Sequence, residues 1–216
     1  MSQFEQLLSG IREYKRKYYY DRILKGVLLS LFALLSLYLL LATLEYFGNF
    51  DTNIRTFLFF SFVATSIYLL VSRIAIPIYG LANLDKKLPD EEAAQQIGKF
   101  FPEIDDKLLN TLQLQKNSEQ NALISASIAQ RSKQLGIVRF SEAINLNRNV
   151  KWLRYMAIPA AVILLGLIFI PQFFTESTAR IINYNKKYVP QAPFSFDLQN
   201  ENLYAYQNED YEIQLK

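Results

Sequence analysis

Three long runs of apolar residues divide the chain, and none of them contains a charged side chain. The runs cover residues 26–44, 56–71 and 155–170. A membrane-spanning α-helix needs about 20 mostly apolar residues, and a soluble core helix seldom stays apolar on every face. The first run is also longer than the apolar region of a cleavable signal peptide, which covers about 7–15 residues. The pattern therefore predicts three membrane-spanning helices, the second ending near Pro77.

The residues before the first run predict a basic, amphipathic helix. Apolar side chains recur at helical spacing in residues 1–22: Phe4, Leu7, Leu8, Ile11, Tyr14 and Tyr18. A basic cluster overlaps them and consists of Arg12, Lys15, Arg16 and Lys17, followed by tyrosines at positions 18–20. Basic side chains beside a membrane attract anionic headgroups, and tyrosines favour the interface. We expect this basic-aromatic cluster to lie at the membrane surface.

The region between the second and third runs is predicted to be helical. Asp90 is expected to cap a helix that ends near Lys99, because it follows a proline and precedes two glutamates. A second helix is expected to begin at Pro102, and a third at residues 119–135. Short helices need packing partners, which leaves open a small bundle or a helical hairpin lying against the membrane. The apolar stripes of the second and third helices are Ile104, Leu108, Leu109, Leu112 and Leu114, and Leu123, Ile124, Ile128 and Leu135.

The second run carries one face of small and polar side chains at helical spacing. These are Ser61, Thr65, Tyr68 and Ser72. Such a face allows close helix packing in a membrane. The alternative is a transport path, but such paths usually carry ionisable groups inside the spans. Since the three runs contain none, we predict a packing face.

The pattern changes after the third run. Residues 173–189 are interpreted as a short helix or an extended linker, and Pro190 and Pro193 then break any helix. Beyond them, apolar and polar residues alternate between turn-forming residues, which predicts short antiparallel strands. The alternating apolar groups are Phe194, Phe196 and Leu198; Leu203, Tyr204 and Tyr206; and Tyr211, Ile213 and Leu215. Three strands are too few for a sandwich, so we predict the incomplete start of one.

The distribution of charge predicts an orientation. Residues 1–25 carry six basic and three acidic side chains, and residues 72–154 carry twelve and nine. The link at residues 45–55 has one basic residue, and the tail from residue 171 has four basic and six acidic ones. Lys and Arg concentrate in cytoplasmic loops. We therefore expect a cytoplasmic N-terminus and middle region, with the link and tail outside, in the periplasm if the host is diderm.

Composition removes several kinds of chemistry. The chain has no cysteine and no histidine, which excludes thiolate nucleophiles, histidine triads and the usual zinc sites. Glu103, Asp105 and Asp106 form the one acidic group that suggests acid–base catalysis. Neighbouring helical residues point in different directions, however, and acidic side chains suit the first turn of a helix. We interpret the group as a solvated first turn and assign no catalytic, cofactor-binding or metal-binding residue.

The order of parts resembles a family of large bacterial membrane proteins that carry domain of unknown function 4175. The resemblance rests on the two-span start, on residues 97–114 (IGKFFPEIDDKLLNTLQL), and on a third span followed by Ala-Pro-Phe-Ser-Phe at residues 192–196. Members are much longer and have an extended extracytoplasmic part. The resemblance implies that the chain corresponds to the N-terminal part of such a protein. It implies a topology and no particular activity.

These observations predict a mainly α-helical membrane protein with five parts. The parts are a basic amphipathic helix at residues 1–25, a transmembrane hairpin at 26–79 with spans at about 26–46 and 55–76, a cytoplasmic helical region at 80–148, a third transmembrane helix at 149–174, and an extracytoplasmic linker with a short β-strand segment at 175–216.

We predict a non-enzymatic anchor or scaffold of the bacterial inner membrane. Its expected partners are the lipid bilayer and an unidentified protein, with no nucleic acid, small-molecule substrate or cofactor. One alternative is a transmembrane signal transducer that couples the external tail to the cytoplasmic helices. A second is a subunit of a membrane enzyme or transporter complex, which the lack of His, Cys and charge within the runs disfavours.

Overall fold

The computed structural model describes residues 2–117, 122–188 and 204, and this part of the chain is mainly helical. Three of its helical stretches are long and apolar enough to cross a membrane: Gln3–Gly48, Thr52–Ala82 and Phe140–Phe169. The prediction of a mainly helical protein with three candidate spans is confirmed. The predicted β-strand segment falls on residues that, apart from Tyr204, lie outside the described part of the chain.

The first helix, α1 (Gln3–Gly48), joins the predicted amphipathic segment and the first span without a break. A capping box fixes its start: the Ser2 hydroxyl accepts from the Glu5 N–H, and the Glu5 carboxylate accepts from the Ser2 N–H. Such a box satisfies N–H groups that have no partner inside the helix. The helix ends at Asn49, whose φ of 42° is left-handed. At 1.5 Å per residue, its 46 residues extend about 69 Å.

The second helix, α2 (Thr52–Leu70), begins after Asp51, whose carboxylate accepts from the Ile54 N–H. Of its predicted packing face, Ser61 and Thr65 are partly buried. Tyr68 is 68% exposed, so its assignment to that face is wrong. Small side chains let helices approach closely, whereas a tyrosine ring at such a contact holds them apart.

We predicted that the second span ends near Pro77, but the helix continues through this proline to Ala82. A π turn (Val71–Ala75) follows α2, and α3 (Ile76–Ala82) continues the helix past the proline. Proline has no N–H to donate to the carbonyl four residues earlier. The hydrogen-bond ladder shifts at this place, and the Ile76 N–H bonds the Val71 carbonyl. The shift accommodates the proline inside a helix that continues to Ala82.

The two arms of the hairpin run antiparallel in a fixed register. Contacts between them extend from the loop at residues 49–51 to the turn of helix α4 (Leu84–Lys87). At one of them the arms touch backbone to backbone, because a Cβ added to Gly26 would lie 2.1 Å from the carbonyl oxygen of Arg73. The four contacts are Glu45 with Arg55, Gly26 with Arg73, Tyr19 with Gly80, and Lys15 with Asp85.

Beyond the hairpin, three helices pack with the start of α1 into a bundle. They are α5 (Asp90–Phe100), α6 (Asp105–Asn117) and α7 (Ala122–Leu135). This arrangement decides between the two predicted possibilities, since the helices share a core with α1 instead of lying apart as a hairpin. The core residues are Leu7, Ile11, Tyr14 and Tyr19 of α1 with Leu88, Ala93, Ala94, Ile97, Ile104, Leu108, Leu112, Leu135 and Phe140.

The stripes predicted for the second and third helices contribute Ile104, Leu108, Leu112 and Leu135 to this core, and one of their members is wrong. Leu114 is 37% exposed, although Leu108 and Leu112 of the same helix are buried. The side chains of Leu123 and Ile124 lie outside the described part of the chain.

Two predicted helix starts are also wrong. Asp90 is the first residue of α5 and not its cap, because Pro89 holds the extended conformation of the cap position (φ −55°, ψ 153°). The next helix begins at Asp105 and not at Pro102. Residues 101–104 form a turn instead, in which the Ile104 N–H donates to the Phe101 carbonyl.

Two 3₁₀ turns (Phe140–Ala143 and Leu146–Asn149) lead into α8 (Val150–Phe169), the third candidate span. We predicted that this helix ends at residue 174, but it ends at Phe169. The helix is interrupted at Ile170, and α9 (Pro171–Ile182) begins directly after it. The Phe174 ring folds back onto α8, where a Cβ on Gly166 would lie 2.2 Å from it. The region predicted as a short helix or a linker therefore starts as a helix that packs on α8, the third candidate span.

Candidate functional site

Lys15 of α1 is buried in the bundle and does not lie at the lipid surface, where we expected it. Its side chain is 1% exposed, and its ammonium lies 2.7 Å from an Asp90 oxygen and 3.2 Å from an Asp85 oxygen. Burying a charge requires such partners. The two carboxylates come from α4 and α5, so the ion pairs fix these helices to α1.

The other members of the predicted basic-aromatic cluster divide between solvent and bundle. Arg12 and Arg16 are exposed, whereas Lys17 donates to the Ser141 carbonyl at 2.7 Å. Tyr20 is 57% exposed, and Tyr19 is buried. The cluster is therefore not one membrane-contacting surface, because a helix turns successive side chains to different faces.

A basic groove lies where the bundle meets the ends of the uncharged runs in α1 and α8. It has a volume of about 420 Å³. Lys25 directly precedes the uncharged run of α1, and Lys151 and Trp152 lie in the first turn of α8. We name it the interfacial groove. It is lined by the cationic side chains of Lys25, Lys99, Arg148 and Lys151 and by the indole of Trp152.

The four cations of the groove have no carboxylate within 4 Å among the described residues, whose ion pairs all involve other side chains. The ammonium groups of Lys25 and Lys151 lie 5.7 and 5.1 Å from the centroid of the Trp152 ring. The one carboxylate on the described lining, Asp21, accepts from the Asn149 side-chain amide at 2.7 Å. The groove is thus a positively charged concavity with an aromatic wall, which suits an anion.

At the opposite end of α1, a buried ion pair closes the hairpin. The Arg55 guanidinium lies 3.6 Å from the Glu45 carboxylate, and these side chains are 4% and 0% exposed. Arg55 also donates to the carbonyls of Phe50 at 2.8 Å and Lys186 at 3.0 Å. Its guanidinium carbon lies 5.0 Å from the centroid of the Tyr188 ring. One cation therefore joins the hairpin loop to the segment after α9.

The sequence analysis missed this far-end pair. A signal was present, because opposite charges flank a short link between two apolar runs. An antiparallel hairpin brings such positions together.

The acidic group that raised the question of catalysis is solvated. Glu103, Asp105 and Asp106 all have exposed side chains at or just before the start of α6. Within the described ranges, no group of three or more His, Cys, Asp or Glu is arranged to hold a metal ion. Glu103 and Asp106 line a cavity of about 490 Å³ together with Lys107 and Arg131.

Fold and groove together define a class: a membrane protein with three candidate spans and a helical bundle at one end. Comparison of the chain with protein-family models, with curated proteins and with solved structures found no match. The family resemblance drawn from residues 97–114 stays a prediction.

Proposed function

We propose that the chain is a non-enzymatic membrane anchor and scaffold that holds its helical bundle at the cytoplasmic face of a bacterial inner membrane. One observation supports this most directly: α1 belongs both to the bundle core and to the first candidate span. A domain whose core includes a membrane-spanning helix cannot leave the membrane without unfolding. Such a domain is suited to keeping a protein partner beside the bilayer.

Sidedness tests the topology. The chain has no cysteine, so a single cysteine reports on its own position. Asn185 and Gln113 are exposed sites beyond α9 and in the bundle, whereas Ser177 in α9 is only 1% exposed and unsuited to labelling. A membrane-impermeant maleimide should label Asn185→Cys in intact cells and label Gln113→Cys only after lysis. The reverse pattern would contradict the proposed orientation.

Scaffolding is tested at the bundle surface. Ile137, which follows α7, is 81% exposed. A photo-crosslinking amino acid there should give a discrete protein adduct in intact cells, and the same probe at Arg12, on the exposed side of α1, serves as the matched position. Absence of any discrete adduct at exposed bundle positions would contradict the scaffold role.

A second candidate is a signal transducer, and the far-end ion pair favours it. Along α1, Lys15 in the bundle and Glu45 at the far end are 30 residues, or about 45 Å, apart in one helix. Under this alternative, Arg55→Met should change hydrogen exchange in α5. Unchanged hydrogen exchange in α5, with altered exchange near Lys186, would contradict the transducer function and would remain consistent with the anchor function.

A further inference from the structure

We propose that the interfacial groove binds the phosphate headgroup of an anionic phospholipid from the leaflet that faces the bundle. The inference rests on the membrane anchoring of the proposed function and adds a lipid class to it. Charge, depth and chemical lining each support it.

The first argument is the convergence of like charges. Four cations come from four segments: Lys25 from α1, Lys99 from α5, Arg148 from the second 3₁₀ turn and Lys151 from α8. The negative charge on the described lining is the Asp21 carboxylate, which already accepts a hydrogen bond from the Asn149 side-chain amide. Four positive charges and one negative charge leave an excess of three. A cleft lined by one sign of charge concentrates ions of the other sign.

The second argument is depth. Lys25 is adjacent to the first residue of the uncharged run in α1, and Lys151 lies four positions before the run in α8 begins at Tyr155. Basic side chains at the ends of membrane helices lie at the headgroup level, as do tryptophans. The groove therefore opens where lipid phosphates are most concentrated, which favours a lipid over a soluble phosphate compound.

The third argument is the lining. The volume of about 420 Å³ falls within the range of small-ligand sites, about 300–1,000 Å³. Basic pockets between membrane helices on the cytoplasmic side suit anionic headgroups. Trp152 is positioned to contact the glycerol region of a lipid while the cations hold its phosphate, because an indole is apolar on its faces and polar at its N–H.

Trp152 also supplies the assay, because it is the only tryptophan in the chain. The full chain is reconstituted into vesicles that mix phosphatidylglycerol with phosphatidylcholine, and bromine is placed on the acyl chains of one lipid at a time. Quenching of Trp152 by each brominated lipid gives the relative binding constant of the anionic lipid at the groove. We expect brominated phosphatidylglycerol to quench well beyond its mole fraction.

Charge variants predict effects of both signs. Lys25→Gln or Lys151→Gln should each lower the relative binding constant about fivefold, the effect of one basic residue near an anionic surface. Asp21→Asn should raise it, which a folding defect would not do. Arg12→Gln and Arg16→Gln, which remove exposed cations of α1 outside the groove, should leave it unchanged.

The outcomes separate the inference from the function on which it rests. Quenching by neither brominated lipid would overturn both, since the chain would not be in the bilayer. Equal quenching by the two lipids, or a preference that survives removal of all four groove cations, would overturn the lipid site. Either result would remain consistent with the proposed anchor function. Glycerol 1-phosphate is added as a soluble competitor. If it displaced the brominated lipid at micromolar concentration, the natural ligand would be a soluble phosphate compound and not a lipid.

Discussion

Lys15 and its two carboxylates predict an asymmetry that depends on which partner is removed. The Lys15 side chain is 1% exposed, whereas those of Asp85 and Asp90 are 77% and 43% exposed. In Lys15→Met, the aliphatic stem stays packed and water can solvate both carboxylates. In the double variant Asp85→Asn with Asp90→Asn, a buried ammonium loses both charged partners. The second change should be much the more damaging.

The exposures set the magnitudes. Removing one side of a buried pair and leaving the other charge buried costs about 3–5 kcal/mol. We assign that range to the double aspartate variant. Lys15→Met should cost at most about 1.5 kcal/mol, the lower end for hydrogen bonds to charged groups, because its former partners become hydrated. Adding Lys15→Met to the double variant should restore about 2 kcal/mol, since replacing a whole buried pair by apolar groups is often neutral.

Hydrogen exchange of α5 amides in lipid nanodiscs measures these differences, since each 1.4 kcal/mol is about tenfold in exchange rate. The double aspartate variant should exchange more than a hundredfold faster and Lys15→Met at most about tenfold faster. The matched control is the exposed Lys116–Glu91 pair between α6 and α5, whose removal should change exchange only slightly. The reasoning would be refuted if Lys15→Met proved as damaging as the double variant, or if the triple variant recovered nothing.

Four further variants test the hairpin and core contacts. Gly26→Ala should destabilise the hairpin by about 1–3 kcal/mol in a denaturant titration, because its Cβ would meet the backbone oxygen of Arg73, which no side-chain rotation can move. Arg55→Met should cost about 3–5 kcal/mol and raise proteolysis after α9, because it leaves the buried Glu45 carboxylate without its ion-pair partner. Glu45→Gln should cost less, because the buried Arg55 guanidinium keeps its hydrogen bonds to the Phe50 and Lys186 carbonyls. Ile97→Ala should cost about 2–5 kcal/mol in bundle stability measured by hydrogen exchange, since Ile97 is 0% exposed.

Matched variants keep these predictions specific. Gly10→Ala adds the same methyl group to α1, but its Cβ would meet only the Phe140 ring at 3.2 Å, so it should be tolerated better than Gly26→Ala. Leu114→Ala removes a 37% exposed side chain and should cost much less than Ile97→Ala. Similar effects within either pair would contradict the packing described here.

Periodicity in the sequence predicted the parts of the fold that depend on burial. The stripe of α1 and most of that of α6 could be identified because core packing selects apolar residues at helical spacing. Helix boundaries at prolines could not, because they depend on what the neighbouring backbone accepts. Just before Pro77 a shift to π-type hydrogen bonds keeps the helix intact, and no residue pattern predicted this shift.

Charged residues were harder to place, because their environment depends on distant partners. Lys15 belongs to a basic cluster in sequence, yet its carboxylate partners lie 70 and 75 positions away. One clue was available: Lys15 follows Ile11 by one helical turn and therefore shares its buried face. For the groove, Lys25 and Lys151 could be expected at the membrane from their places beside apolar runs. Lys99 and Arg148 join them only through the packing of the bundle.

The fixed register of the hairpin constrains how its length can change. Contacts from Glu45–Arg55 at one end to Lys15–Asp85 at the other pair successive turns of the two arms in opposite order. One inserted residue in α1 would rotate everything beyond it by about 100° and advance it by about 1.5 Å. All contacts on one side of the insertion would then face the wrong way. Homologous chains should therefore show insertions and deletions in this hairpin as compensated pairs, one in each arm at matching depth.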